Sequence, residues 1–133
     1  MKLFITILFI MAFTGYSNGQ HSLAFCASVE SNGYCYFNNT KFIAARDSAT
    51  TRIFMQVKSD NLLGTSSITY KIYSVSKTGE EKMVYAVEQS IQPDWTLAWA
   101  PYNFNAGEKY NVKVYDASNR LLCAKSFELL KWF

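Results

Sequence analysis

Alternation of apolar and polar residues, repeated along the chain with turn residues between the repeats, limits the possible folds more than any other feature. In Thr51–Lys58 the side chains of Ile53, Met55 and Val57 fall on one face, with Arg52, Gln56 and Lys58 on the other. A period of two belongs to a half-buried strand; a helix would repeat its apolar stripe about every 3.6 residues. Ser67–Val75 repeats the pattern, with Ile68, Tyr70 and Ile72 inward. Lys82–Gln89 follows through Met83, Tyr85 and Val87. After a break at Pro93-Asp94 come Trp95, Leu97 and Trp99, and then Tyr110, Val112 and Val114. Lys77-Thr78-Gly79-Glu80 and Asp116-Ala117-Ser118-Asn119 read as turns, the second leading into a strand over Leu121–Leu130. An N-terminal strand is expected within Tyr34–Ala45. The nearest approach to a helical period is Phe42–Ser48.

About seven strands, recurring roughly every 10 to 15 residues, predict an all-β antiparallel sandwich. Gly107 stands shortly before Tyr110, which opens an alternating strand. Immunoglobulin-like sandwiches carry a tyrosine at that corner, its hydroxyl bonding back to upstream backbone. The fold expected is therefore an immunoglobulin-like antiparallel β-sandwich.

Residues 1–19 are set apart. Lys2, the apolar run Leu3–Phe13 and the small-residue stretch Gly15–Gly19 read as a secretory signal, with the domain over 20–133. The run is shorter than the ~20 apolar residues that cross a bilayer. The processed chain is expected to be soluble, without a membrane span, in an extracellular, lumenal or periplasmic space that permits disulfides. Asn38-Asn39-Thr40 is a glycosylation sequon at Asn38, meaningful in a eukaryotic source.

Three cysteines allow three single bridges and leave one thiol over. A turn centred on Asn32-Gly33 would pair Cys35 with Glu30 rather than with Cys26. A long bridge, Cys26–Cys123, is therefore expected, with Cys35–Cys123 next; three buried thiols are the remaining alternative.

The formal charge of +3 is unclustered and gives no nucleic-acid footprint. The chain has one histidine, His21, expected at a mobile end where a general base lacks fixed geometry. Asp94, Asp116, Glu80, Glu81 and Glu108 sit at apparent turns, and no cysteine spacing reads as a metal site. The expectation is a non-enzyme with no catalytic residue, no metal and no cofactor. What the chain has in excess is aromatic residues: 10 Phe, 9 Tyr and 3 Trp. They either fill a closed core or wall a cleft between the two sheets. The cleft would bind a lipid or other apolar small molecule through Ile53, Met55, Tyr70, Ile72, Trp95, Leu97, Trp99 and Val112. The alternative is a protein-binding or adhesion module with a closed core and an aromatic patch from Tyr36, Phe37, Tyr102, Trp132 and Phe133.

Phe25-Cys26-Ala27-Ser28-Val29-Glu30-Ser31-Asn32-Gly33 and Lys109–Phe127, with Leu121-Leu122-Cys123-Ala124, resemble the start and end of the secreted lipid-recognition β-sandwich family. Ile53-Phe54-Met55 and Tyr70-Lys71-Ile72-Tyr73 resemble its middle. The resemblance implies a sandwich that opens between its sheets around acyl chains or sterols, with its first and last strands bridged, here Cys26 to Cys123. The family's additional cysteine pairs and its Cys-Pro pair have no counterpart here. Trp95–Asp116 is also similar to the lumenal part of the translocon-associated delta subunit, and Gly107–Val114 with the following Asp turn to bacterial secreted immunoglobulin-like modules.

Overall fold

The structure, a computed structural model, describes residues 21–132; the expected signal segment and Phe133 lie outside the described residues. In chain order the strands are β1 (His21–Cys26), β2 (Ser28–Val29), β3 (Cys35–Tyr36), β4 (Lys41–Ile43) and β5 (Thr50–Ser59). There follow β6 (Ser67–Val75), β7 (Glu81–Ser90), β8 (Leu97–Asn105), β9 (Glu108–Asp116) and β10 (Leu121–Leu130). One layer has the order β1-β5-β8 and the other β4-β10-β9-β6-β7, while β2 and β3 form a separate hairpin. This is an all-β, immunoglobulin-like sandwich.

Alternation locates most of the core correctly. Ile53, Met55 and Val57 on β5, Ile68, Tyr70 and Ile72 on β6, and Tyr110, Val112 and Val114 on β9 are all buried between the layers. At one end Phe25, Phe104, Tyr110 and Phe127 interlock, with the Phe127 ring 4.4 Å from Phe25 and 4.8 Å from Phe104. The chain passes from β8 in one layer to β9 in the other through Ala106-Gly107, and Tyr110 clamps that corner. Its hydroxyl accepts from the Asn105 N–H at 2.9 Å and donates to the Asn105 carbonyl at 3.2 Å.

Three hairpin loops share one design. In Glu30–Tyr34, Ser76–Glu80 and Asp116–Arg120 the first residue's N–H donates to the fifth residue's carbonyl, and the fourth residue's N–H to the first residue's carbonyl. That geometry needs a left-handed fourth residue, supplied by Gly33, Gly79 and Asn119. Asp116 reinforces its loop by accepting from the Ser118 and Arg120 N–H groups and from Arg120 Nε.

The structure corrects several expectations. The long N-terminal strand is His21–Cys26; Tyr34–Ala45 holds only β3 and β4. Phe42–Ser48 is not helical: Phe42 and Ile43 belong to β4, which runs parallel to the end of β10, and a turn closes from Ser48 N–H to the Ala45 carbonyl. His21 is not at a loose end, since it pairs with Ser59 in the β1–β5 ladder. On β7, the register slips between Ile72 and Tyr73, so Ile72 faces Tyr85 but Tyr73 faces Met83. Of the expected inward row Met83, Tyr85 and Val87, both Met83 and Tyr85 are exposed and only Val87 packs against the core, because β7 is the edge strand of its layer and extends past the opposite one.

The disulfide is Cys26–Cys35, with Cα atoms 5.4 Å apart, and Cys123 is free. Neither expected long bridge forms. The turn expectation failed by one residue: the loop is Ser31-Asn32-Gly33, so Cys35 pairs with Val29, and the chain bends at Ala27 to bring Cys26 beside Cys35. Cys123 sits on β10 in the opposite layer, paired with Val114. Burial pushes its thiol up to about 12.

Candidate functional site

The eight residues expected to line an inter-sheet cleft divide into two sets. Ile53, Met55, Tyr70, Ile72 and Val112 lie between the layers with no exposed surface. Trp95, Leu97 and Trp99 are on the outside. The register with β5 explains the second set: Ala98 stands opposite Val57 and Ala100 opposite Met55, so even-numbered positions of β8 face the core. Ala98, Ala100 and Phe104 are buried, and Trp99 lies beside Gln56 on the outer face.

An outward apolar row needs a cover, and the β2–β3 hairpin supplies part of one. It folds onto the outer face of β5 and β8, where Gln56 Nε2 donates to the Gly33 carbonyl at 2.7 Å. Gly33 is in the left-handed region, and a Cβ there would run into Leu97 Cδ2 and lie against the Trp99 ring. Glycine is thus required both by the turn and by the close approach. The Cys26–Cys35 bridge ties the base of the hairpin to the end of β1.

Beyond the hairpin tip the cover stops. A groove of about 610 Å³ runs along Asp94–Trp99, with Ser31 and Asn32 of the hairpin and Gln89 of β7 as its other walls. Trp95 keeps 42% of its surface exposed there. Its backbone is fixed nonetheless. Pro93 and Asp94 occupy the middle of a turn closed by Trp95 N–H on the Gln92 carbonyl, and the Trp95 carbonyl accepts from Leu63 N–H at 2.7 Å. Gly64 N–H bonds to the Pro93 carbonyl. At the floor, Gln89 links the interior to the groove: it accepts from the Tyr70 hydroxyl at 2.8 Å and donates to the Trp99 carbonyl at 2.9 Å. Burial raises the Tyr70 hydroxyl far above its ordinary value, so it stays a donor.

Several polar groups around the groove are left for solvent or a ligand. Among the described residues, the Asp94 carboxylate, the Ser31 and Thr96 hydroxyls and the Asn32 amide nitrogen have no hydrogen-bond partner within the protein. Asn32 Oδ1 accepts from Tyr34 N–H at 3.0 Å, which fixes the orientation of that amide. Of the lining residues, Asp94 alone carries a charge.

The other aromatic candidates among the described residues, Tyr36, Phe37, Tyr102 and Trp132, fall at separate places in the fold. Tyr36 pairs with Tyr34 on the hairpin, and its hydroxyl donates to Glu30, which raises its pKa. Phe37 is 79% exposed at a left-handed backbone position. Tyr102 stacks on Tyr85 across the layers, and Trp132 borders a groove with Ala45 and Asp47. Asn38 is exposed between β3 and β4, and Asn39 Oδ1 caps the N–H groups of Thr40 and Lys41. His21 Nε2 is buried with no hydrogen-bond partner among the described residues, and burial lowers its pKa.

Nothing local in the sequence marks Ser31, Asn32, Gln89 and Thr96 as groove residues, and Asp94, expected as a turn charge, is at the groove's edge. β8 itself carries a signal. Ala98, Ala100 and Phe104 form a second apolar row on the same strand, and a strand apolar on both faces is covered on both.

Among solved structures, the chain is similar to an immunoglobulin-like protein from Pseudomonas aeruginosa, with 19% identity, 81% of this chain and 91% of that chain covered, and a TM-score of 0.52. That likeness shows the fold alone. No protein-family model matches the chain, the lipid-recognition family included, and no curated protein matches it.

Proposed function

We propose that this protein is an exported, non-enzymatic immunoglobulin-like interaction or adhesion module that engages its ligand on the outer surface of the sandwich. The observation that carries the reading is the division of the eight candidate residues: the inward five are fully buried in packed core, and the outward three border an open groove. A carrier needs the reverse, with apolar walls held apart between its layers. The apolar run Leu3–Phe13 and the Cys26–Cys35 bridge support an exported, disulfide-permitting setting. An exposed Asn38 is available for glycosylation if the source is eukaryotic.

Native mass spectrometry of protein purified from the medium tests this. The expected spectrum has one processed mass, one disulfide and no bound lipid, and titration with oleate or cholesterol leaves tryptophan emission unchanged. A co-purified acyl lipid or sterol, or saturable binding of either, would overturn the reading in favour of a carrier.

A further inference from the structure

We infer that the groove along Asp94–Trp99 is a binding site for a neutral carbohydrate chain, with Trp95 as its stacking platform. The inference rests on the outer-surface reading above and names its ligand class.

The volume of about 610 Å³ falls in the range of small-ligand sites. Its chemistry is mixed in a specific way. An indole with 42% of its surface open shares the groove with the Asp94 carboxylate, the Ser31 and Thr96 hydroxyls and the Asn32 amide nitrogen, which make no hydrogen bond among the described residues, while Asn32 Oδ1 and the Gln89 carboxamide are held by the fold. A sugar ring matches both halves. Its C–H face packs on the apolar surface of the indole. Its adjacent hydroxyls both donate and accept, as do the Ser31 and Thr96 hydroxyls, while the Asn32 amide nitrogen donates. The Asp94 carboxylate is an acceptor for two hydroxyl donors at once, and such charge-assisted bonds are the stronger kind.

The same groups argue against other occupants. An acyl chain laid here would desolvate a carboxylate and an amide without replacing their bonds to water. An anionic polymer would meet Asp94 with no cationic residue in the lining to offset it. The groove is open to solvent rather than enclosed, which suits a segment of a longer chain passing through it.

The walls are set before any ligand arrives. The Pro93-Asp94 turn is tied at Leu63 and Gly64, and the hairpin tip is held by Gln56 and anchored at its base by the disulfide. A site held in this way avoids part of the ordering cost of binding.

The test is titration of the intact chain with cello-, xylo-, malto-, laminari- and N-acetylchito-hexaose, followed by tryptophan fluorescence and calorimetry. At least one is expected to bind saturably. Trp95→Ala is expected to weaken that binding about tenfold or more, as loss of an aromatic anchor does. More than half of the Trp95 surface is packed, so a second variant is needed that leaves stability alone. Asp94→Asn serves: a loss of roughly fivefold is expected with an unchanged melting temperature, because a hydrogen bond to a charged group is replaced by a neutral one. Trp95→Phe should retain part of the affinity. No binding of any of the five, or binding indifferent to Trp95→Ala and Asp94→Asn, overturns the inference. If both variants instead abolish binding to a protein ligand while no oligosaccharide binds, the carbohydrate assignment falls and the outer-surface reading stands. A lipid found between the sheets removes both.

Discussion

The two faces of β8 carry similar apolar content and meet opposite fates. Inward, Ala98, Ala100 and Phe104 are sealed by the opposite five-stranded layer. Outward, Leu97 and Trp99 are half-covered by a hairpin, and Trp95, just before the strand, is left open. The difference teaches that apolar content alone does not decide what is core. What decides it is whether another element lies opposite, and a short hairpin can cover only part of a strand. The uncovered remainder is the groove.

The sealed face should be the sensitive one. Phe127 touches Phe25, Phe104 and Tyr110 and has almost no exposed surface. Phe127→Ala is expected to cost about 3–5 kcal/mol, as other large-to-small changes in packed cores do. Urea unfolding monitored by circular dichroism reads this directly. A loss below about 1 kcal/mol, the level of many surface changes, would show that this end of the sandwich is not tightly packed.

The cover over the outward face comes next. Cys35→Ser releases the hairpin from β1 and is expected to cost about 2–3 kcal/mol in the chain-entropy account of a short loop. The pairing itself is checkable by peptide mapping without reduction, which should yield Cys26 linked to Cys35. Cys123, whose thiol is pushed up to about 12 by burial, should react slowly with iodoacetamide at pH 8 until the protein unfolds. Rapid labelling of Cys35 in the native protein would break this account of the cover.

How much of this was legible in the residues follows from the same contrast. On β5, β6 and β9 one row is apolar and the other polar, so alternation identified the core. On β8 both rows are apolar, and alternation alone favours the row with the larger side chains as the inward one. The small Ala98 and Ala100 are in fact what face Val57 and Met55. Tyr110 is readable because a glycine shortly before a tyrosine near the start of an alternating strand has a local geometric meaning. The disulfide was not, because it depends on a bend at Ala27 and on one residue of loop register, and neither has a pattern that alternation can reveal. The groove joins the hairpin tip at Ser31-Asn32 to the stretch from Gln89 to Trp99, two segments far apart in sequence that no local pattern brings together.

Smaller effects are expected where a buried polar group loses a partner but keeps its packing. Tyr110→Phe leaves the Asn105 N–H without its acceptor and should cost about 1–2 kcal/mol. The Asp116 loop adds a pH dependence. Burial raises the Asp116 pKa, but hydrogen bonds from the Arg120 backbone and guanidinium and from Ser118 outweigh it, and the net shift is downward. A carboxyl with a folded pKa below its unfolded one stabilises above the ordinary carboxylate range and loses that contribution as pH falls through the lowered value. Stability should therefore decline as pH drops below about 4, and Asp116→Asn should flatten part of that decline. An unchanged acid limb in the variant would mean that other carboxyls set it.

The open groove should respond least of all in stability. Asp94 and Thr96 are exposed and make no side-chain bond within the fold among the described residues, so Asp94→Asn and Thr96→Ala should each shift unfolding by no more than about 0.5 kcal/mol. That smallness is what makes them informative. A residue fixed by the needs of folding shows its role in the unfolding free energy, as Phe127 and Tyr110 should. A polar residue held by a rigid turn beside an exposed indole, and contributing nothing to that free energy, has its role elsewhere if it has one. Thermal unfolding of the two variants, measured beside Phe127→Ala, separates the sealed face from the open one. A loss above 1 kcal/mol in either groove variant would instead make these side chains part of the cover over Leu97 and Trp99.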